Sequence, residues 1–75
     1  MPHLIVKLLP GRSEAQKARL TEKIVQHVIE DLGASEDSVS VAFEEVKPPD
    51  WARQVYQPDI KAKWDTLTKK PGYSM

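Results

Sequence analysis

Hydrophobic and polar positions change their period three times along this chain, and each change predicts an element. His3 to Leu9, "HLIVKLL", is a short and mostly apolar run closed by Pro10-Gly11. A run that short, bounded by turn residues, predicts a buried strand rather than a helix. Pro2 suits the first position of such a strand, where no ladder N–H is needed. From Glu14 to Leu32 the apolar residues Leu20, Ile24, Val25, Val28, Ile29 and Leu32 recur at steps of three and four. That spacing predicts an amphipathic helix, with Lys17, Glu22, Lys23, Gln26 and Glu30 mostly toward water. Ser13, with Gln16 three residues on, predicts a capping box at its start, and Gly33 predicts a left-handed cap at its end. "SVSVAFEEV" then sets Val39, Val41 and Phe43 against Ser40, Ala42 and Glu44, the period of two that marks a strand with one apolar face.

Strand, long helix, strand is a β-α-β unit, and two neighbouring strands joined this way are parallel with a right-handed crossover. The pattern leaves open whether the two strands are neighbours. "KPPDWARQVYQPD" interrupts the regularity: Pro48-Pro49 ends the strand, and Asp50 predicts a capped helical turn through Tyr56. Pro58-Asp59 predicts the start of a last helix, with Ile60, Trp64 and Leu67 on one face. Lys69 and Lys70 would lie at its C-terminus, where cations are favoured, and Pro71-Gly72 would end it.

Size changes the picture. Residues 1–75 read as a single domain, and a chain of this length buries only roughly 60–65% of its unfolded surface, so one core is marginal. Disulfides, metals or association are the usual remedies. There is no cysteine, and the two histidines, His3 and His27, stand apart in the sequence. No metal site is expected, and association is the remedy left. Two strands do not make an independent covered sheet. Two copies paired edge to edge would make a four-stranded sheet with both long helices on one face.

Charge narrows the partners. Eleven basic residues balance eleven acidic ones, without the basic block of a nucleic-acid binder. No apolar run approaches the roughly 18 residues of a membrane helix, and the N-terminal stretch lacks the pattern of a signal peptide. The expectation is a cytoplasmic protein that binds neither nucleic acid nor membrane.

Two residues carry the candidate chemistry. Pro2 is an ordinary strand-start residue while Met1 precedes it. With Met1 removed, its nitrogen becomes a secondary amine and a genuine base. An apolar surround, for which Leu4, Val41 and Trp51 are candidates, would lower its pKa toward the operating pH. Arg12 reads either as a solvated loop residue or as an anion binder. A cation before a helix N-terminus is electrostatically unhelpful unless a carboxylate visits the spot. Pro2 and Arg12 stand at opposite ends of the first strand, roughly 20 Å apart at about 3.3 Å per residue, so one small substrate needs Arg12 from a neighbouring subunit. Trp51 reads equally as packing or as the lining of a substrate pocket, and Trp64 reads as core. In a regular strand His3 faces away from Pro2. His27, Glu44, Glu45 and Lys47 read as surface residues.

Pro2 after Met1, "GRSEAQK" opening a long helix, "SVSVAF" and the ending "KKPGYSM" together resemble the 4-oxalocrotonate tautomerase family, in its PptA-type branch, along essentially the whole chain. The resemblance implies an α+β protein with the β-α-β tautomerase (4-oxalocrotonate tautomerase/MIF-like) fold, an extra C-terminal helix and a homodimer with a four-stranded sheet and a shared active site. It implies a cofactor-independent keto–enol tautomerase, an isomerase acting on a small 2-keto acid such as phenylpyruvate. Pro2 would be the proton shuttle, Arg12 the carboxylate binder and Trp51 the pocket aromatic. Many members carry a second arginine in strand two, where this chain has Ser40. A hydroxyl does not replace a bidentate cation, so the change favours simple 2-keto or enol acids and leaves Ser40 at most one hydrogen bond to substrate. The same proline would also serve hydratase or dehalogenase chemistry on unsaturated acids, and an inactive dimeric scaffold would carry the same residues.

Overall fold

A parallel two-stranded sheet joined through one long helix organises the first part of the chain. The computed structural model describes residues 1–75, which form two compact units, Met1–Glu45 and Val46–Met75. In the first, β1 (His3–Leu8) and β2 (Ser40–Glu45) pair in parallel, with His3 opposite Ser40 and Leu8 opposite Glu45. The strands are therefore neighbours, which the hydrophobic pattern alone left open. β1 closes at Leu8, and Leu9 is already exposed. β2 begins at Ser40 because a 3₁₀ turn, Glu36–Ser38, occupies the residues before it. The backbone N–H and the hydroxyl of Ser38 both donate to the Ser35 carbonyl, at 3.1 and 2.8 Å, drawing the chain away from the ladder.

The connecting helix α1 spans Glu14–Leu32 as the periodicity predicts. Its start is the expected capping box: the Gln16 N–H donates to Ser13 Oγ at 3.1 Å, and the Ser13 N–H donates to Gln16 Oε1 at 2.8 Å. Gly33, at φ 68°, ends it by donating its N–H to the Ile29 carbonyl. Ile24, Val25, Val28 and Ile29 are half-buried, but Leu20 and Leu32 remain exposed, and no residue of α1 is fully buried. The reason is dimensional. Nineteen helical residues extend about 28 Å, whereas six-residue strands reach about 20 Å, so a two-stranded sheet covers only the middle of the helix.

Residues opposite one another in the register share a face. Leu8, Phe43 and Glu45 lie on the face that meets α1. There Lys17, expected toward water, is drawn in: its side chain is only 15% exposed, with Nζ 3.0 Å from Glu14 and 3.6 Å from Glu45. Glu45, expected as a solvated charge, is the partner that draws it. The other face presents His3, Ile5 and Lys7 beside Ser40, Ala42 and Glu44.

The second unit departs further from the pattern. Pro48–Asp50 form a 3₁₀ turn and Trp51 continues helically, but no side chain caps the start. Asp50 pairs with Arg53 at 3.1 Å instead. From Ala52 to Lys61 the chain is a π-helix that runs through Pro58. Proline there has no N–H for an α-helical bond, and its ring would strike the preceding turn. The wider i→i−5 geometry relieves the ring's clash, and beyond the proline the Ala62 N–H reaches the Gln57 carbonyl at 3.0 Å. The C-terminal helix thus exists but lies earlier than expected, and it does not begin at Pro58. Beyond it only a 3₁₀ turn, Trp64–Thr66, is regular. Trp64 is therefore 39% exposed rather than core, with the Lys70 ammonium 5.7 Å from its ring centroid. Lys69 and Lys70 cap no helix. Val46, Val55 and Tyr56 are the buried apolar residues of this unit.

Candidate active site

The strand order brings two of the four candidate residues together. Pro2 directly precedes β1 and Ser40 opens β2, so the parallel ladder places the Ser40 N–H on the Pro2 carbonyl at 3.1 Å. Pro2 is half-buried, while Met1 before it is fully exposed. The Pro2 nitrogen is a tertiary amide while Met1 is attached and would be a secondary amine without it. The Ser40 side chain points to the same face as His3, and its Oγ lies 2.6 Å from His3 Nδ1. The sequence pattern singles out no role for His3, and only the register shows what it meets.

Arg12 belongs to the other end of β1. Gly11, at φ 124°, adopts a conformation L-residues rarely take and turns the chain so that Arg12 immediately precedes the Ser13 cap. The Arg12 side chain borders a groove of about 250 Å³ also lined by Leu8, Gln16, Lys17, Leu20 and Phe43. Its walls are largely the apolar side chains of Leu8, Leu20 and Phe43. Of the two cations present, Lys17 is held by Glu14 and Glu45; its hydrogen bond with Glu14, then the charges of both carboxylates, raise its pKa above the ordinary lysine value. Arg12 is exposed and forms no hydrogen bond or ion pair within the chain. The capping box already uses the N–H groups of Ser13 and Gln16. The guanidinium is thus the groove's uncommitted hydrogen-bond donor for an anion, next to an apolar wall. Leu8, Leu20 and Phe43 read in the sequence as core positions, and only the shortness of the sheet leaves them lining an open groove.

Trp51 lies in the second unit. Its indole N–H donates to Tyr73 Oη at 2.9 Å, and the Tyr73 ring stands 5.7 Å from that of Tyr56, tilted by 41°.

Comparison with known proteins fits this arrangement. The family described as "Tautomerase enzyme" matches residues 2–57. A probable tautomerase of Xylella fastidiosa is 44% identical over 73 residues, 97% of this chain and 89% of that protein. The tautomerase PptA of Pectobacterium carotovorum is 47% identical over 75 residues, 99% of each chain. Among solved structures, a 4-oxalocrotonate tautomerase isozyme of Methylibium petroleiphilum superposes with a TM-score of 0.63 at 34% identity, covering 67% of this chain and 81% of that one. The β-α-β unit, the capped turn that carries Arg12 and these similarities lead to one conclusion: the chain is an isomerase of the 4-oxalocrotonate tautomerase family, of the PptA type.

Proposed function

We propose that this tautomerase interconverts the enol and keto forms of a small 2-keto acid with an apolar substituent, phenylpyruvate-like, without a cofactor, using Pro2 as the proton shuttle. The observation that carries the reading is the uncommitted Arg12 guanidinium beside the apolar wall of Leu8, Leu20 and Phe43. A carboxylate on Arg12 would place an adjacent hydrocarbon group against that wall.

Removal of Met1 frees the Pro2 amine. In ketonisation the neutral amine takes the proton from the enol hydroxyl, the C–O bond becomes a carbonyl, and the electron pair of the C=C bond shifts to the carbon beside the carbonyl carbon. The prolinium N–H then protonates that carbon, which returns the amine to its starting state and leaves a ketone. Each cycle moves one proton and consumes nothing. Pro2 and Arg12 lie at opposite ends of β1, so a complete site takes Arg12 from a second copy, in a homodimer. Trp51 contributes its ring to the apolar part of the substrate, and Ser40 one hydrogen bond.

Intact-mass analysis and ketonisation of phenylenolpyruvate by the same preparation test this reading. Turnover by protein lacking the initiator methionine, abolished in processed Pro2→Ala, is expected. Turnover by protein that retains Met1, or full activity of processed Pro2→Ala, rules out the amine as the base. Processed wild-type protein that turns over unsaturated acids by hydration, or nothing at all, rules out the enol substrate.

A further inference from the structure

Two cations border the groove at the start of α1, and the fold treats them differently. Arg12 is exposed and makes no hydrogen bond or ion pair within the chain. Lys17 lines the same groove, yet its side chain is only 15% exposed, and its Nζ lies 3.0 Å from Glu14 and 3.6 Å from Glu45. The two carboxylates come from different elements, Glu14 from the first turn of α1 and Glu45 from the last position of β2. The register fixes the second, because Glu45 stands opposite Leu8, itself part of the groove wall.

Two carboxylates around one ammonium leave that end of the groove with a net negative charge. An anion approaching Lys17 has to displace one glutamate and still meets the repulsion of both. The other lining residues, Leu8, Gln16, Leu20 and Phe43, carry no charge. Arg12 is therefore the one positive charge of the lining that no carboxylate of the chain offsets. Both cations border a single groove of about 250 Å³, so a small ligand on Arg12 lies close to the Lys17 cluster. Salt screens little over distances below roughly 8 Å.

We propose that Glu14 and Glu45 are specificity-determining residues: by holding Lys17 they restrict the groove to ligands with one carboxylate, seated on Arg12, and disfavour dicarboxylates. The proposal rests on the Arg12 reading of the proposed function and narrows its substrate class to monocarboxylates. Neither glutamate touches the ligand; both act through Lys17. Freed of them, Lys17 becomes a second anion binder beside Arg12, and the groove takes a dicarboxylate.

NMR titration of the full-length chain with three unreactive acids tests this at about pH 8, where every carboxyl is ionised. Hydrocinnamate carries a phenyl group and one carboxylate. Benzylmalonate and benzylsuccinate add a second carboxylate at two different reaches. None of the three reacts, so the result does not depend on Pro2. The quantity read is the ratio of dianion to monoanion affinity, in which a general loss of affinity cancels. Wild type should favour hydrocinnamate over both dianions. Glu14→Gln/Glu45→Gln should shift the ratio toward a dianion by about 10-fold, the low end for a charge-assisted hydrogen bond. Adding Lys17→Met should abolish the shift. Glu45→Gln alone should move the ratio the same way by less, and it carries the test if the double variant does not fold.

An unmoved ratio, a shift that survives Lys17→Met, or a wild type that prefers a dianion each overturns the proposal. Arg12→Ala separates these failures from a failure of the Arg12 reading. If it abolishes hydrocinnamate binding, that reading stands and only the role of Glu14 and Glu45 falls. If hydrocinnamate does not bind, or binds Arg12→Ala equally well, the reading fails and takes the proposal with it.

Discussion

The indole N–H of Trp51 donates to the hydroxyl of Tyr73 across 22 residues of chain, and the Tyr73 ring meets that of Tyr56. The tail after Pro71-Gly72 is thereby fastened to the start of the π-helix by one hydrogen bond and one ring contact. The polar edge of Trp51 is already satisfied, so what it has to offer a ligand is its ring face. Tyr73→Phe keeps the ring and removes the acceptor. It should cost about 0.5–1.5 kcal/mol in urea unfolding, with faster amide exchange in residues 71–75. An unchanged midpoint would show that the bond carries no net stability.

The capping box predicts a second loss. Ser13 and Gln16 satisfy each other's backbone N–H groups at the start of a helix that has no fully buried residue to compensate. Ser13→Ala should cost about 1 kcal/mol and lower the melting temperature by about 4–8 °C. A calorimetric scan reads this directly.

Arg12 supplies a third. A planar guanidinium holds a carboxylate with two parallel bonds, and lysine does not. Arg12→Ala should raise KM by about 10- to 100-fold, the range for a charge-assisted hydrogen bond, and Arg12→Lys should recover only part of it. If each site takes Pro2 from one subunit and Arg12 from the other, mixing inactive Pro2→Ala with Arg12→Ala, assayed far below the raised KM of the latter, restores one good site in each mixed dimer. Random exchange then recovers about a quarter of wild-type activity. No recovery after verified subunit exchange would place both residues of a site on one chain.

Lys17 gives the protein a pH dependence at the alkaline end. Its pKa is raised in the folded state, chiefly by the hydrogen bond with Glu14. The folded form therefore holds this proton more tightly than the unfolded chain. The stabilisation is fully present below the ordinary lysine value and is lost as pH rises through the raised one. Melting curves of wild type and Lys17→Met should differ at pH 8 and converge as pH rises through the raised Lys17 value. A constant difference across that range would mean that Lys17 stabilises through its hydrocarbon stem alone.

Much of the β-α-β unit is legible in the amino-acid pattern. The bounds of α1 follow from a three-to-four periodicity and from caps whose partners lie within four residues, and such local signals hold whatever the rest of the fold does. The second unit is harder to read because Pro58 is locally a helix stop, and nothing in the pattern signals a π-helix that carries the chain past it. The spacing accordingly puts Trp64 and Leu67 on a helical face that the chain never forms there.

The candidate site divides in the same way. Pro2 and Arg12 stand out from the sequence because their chemistry is unusual for where they sit, one at a removable N-terminus and the other ahead of a helix that prefers anions. Sequence alone determined the order of elements, the helix with its caps, and the choice of these two candidate residues, all of which depend on residues a few positions apart. Tertiary structure decided that Lys17 turns inward to Glu45, that Leu8, Leu20 and Phe43 remain open beside Arg12, and that His3 meets Ser40 next to Pro2. Those contacts join residues up to 37 positions apart. They exist only once the parallel register is set, and a shift of one residue would turn every side chain of a strand to the opposite face.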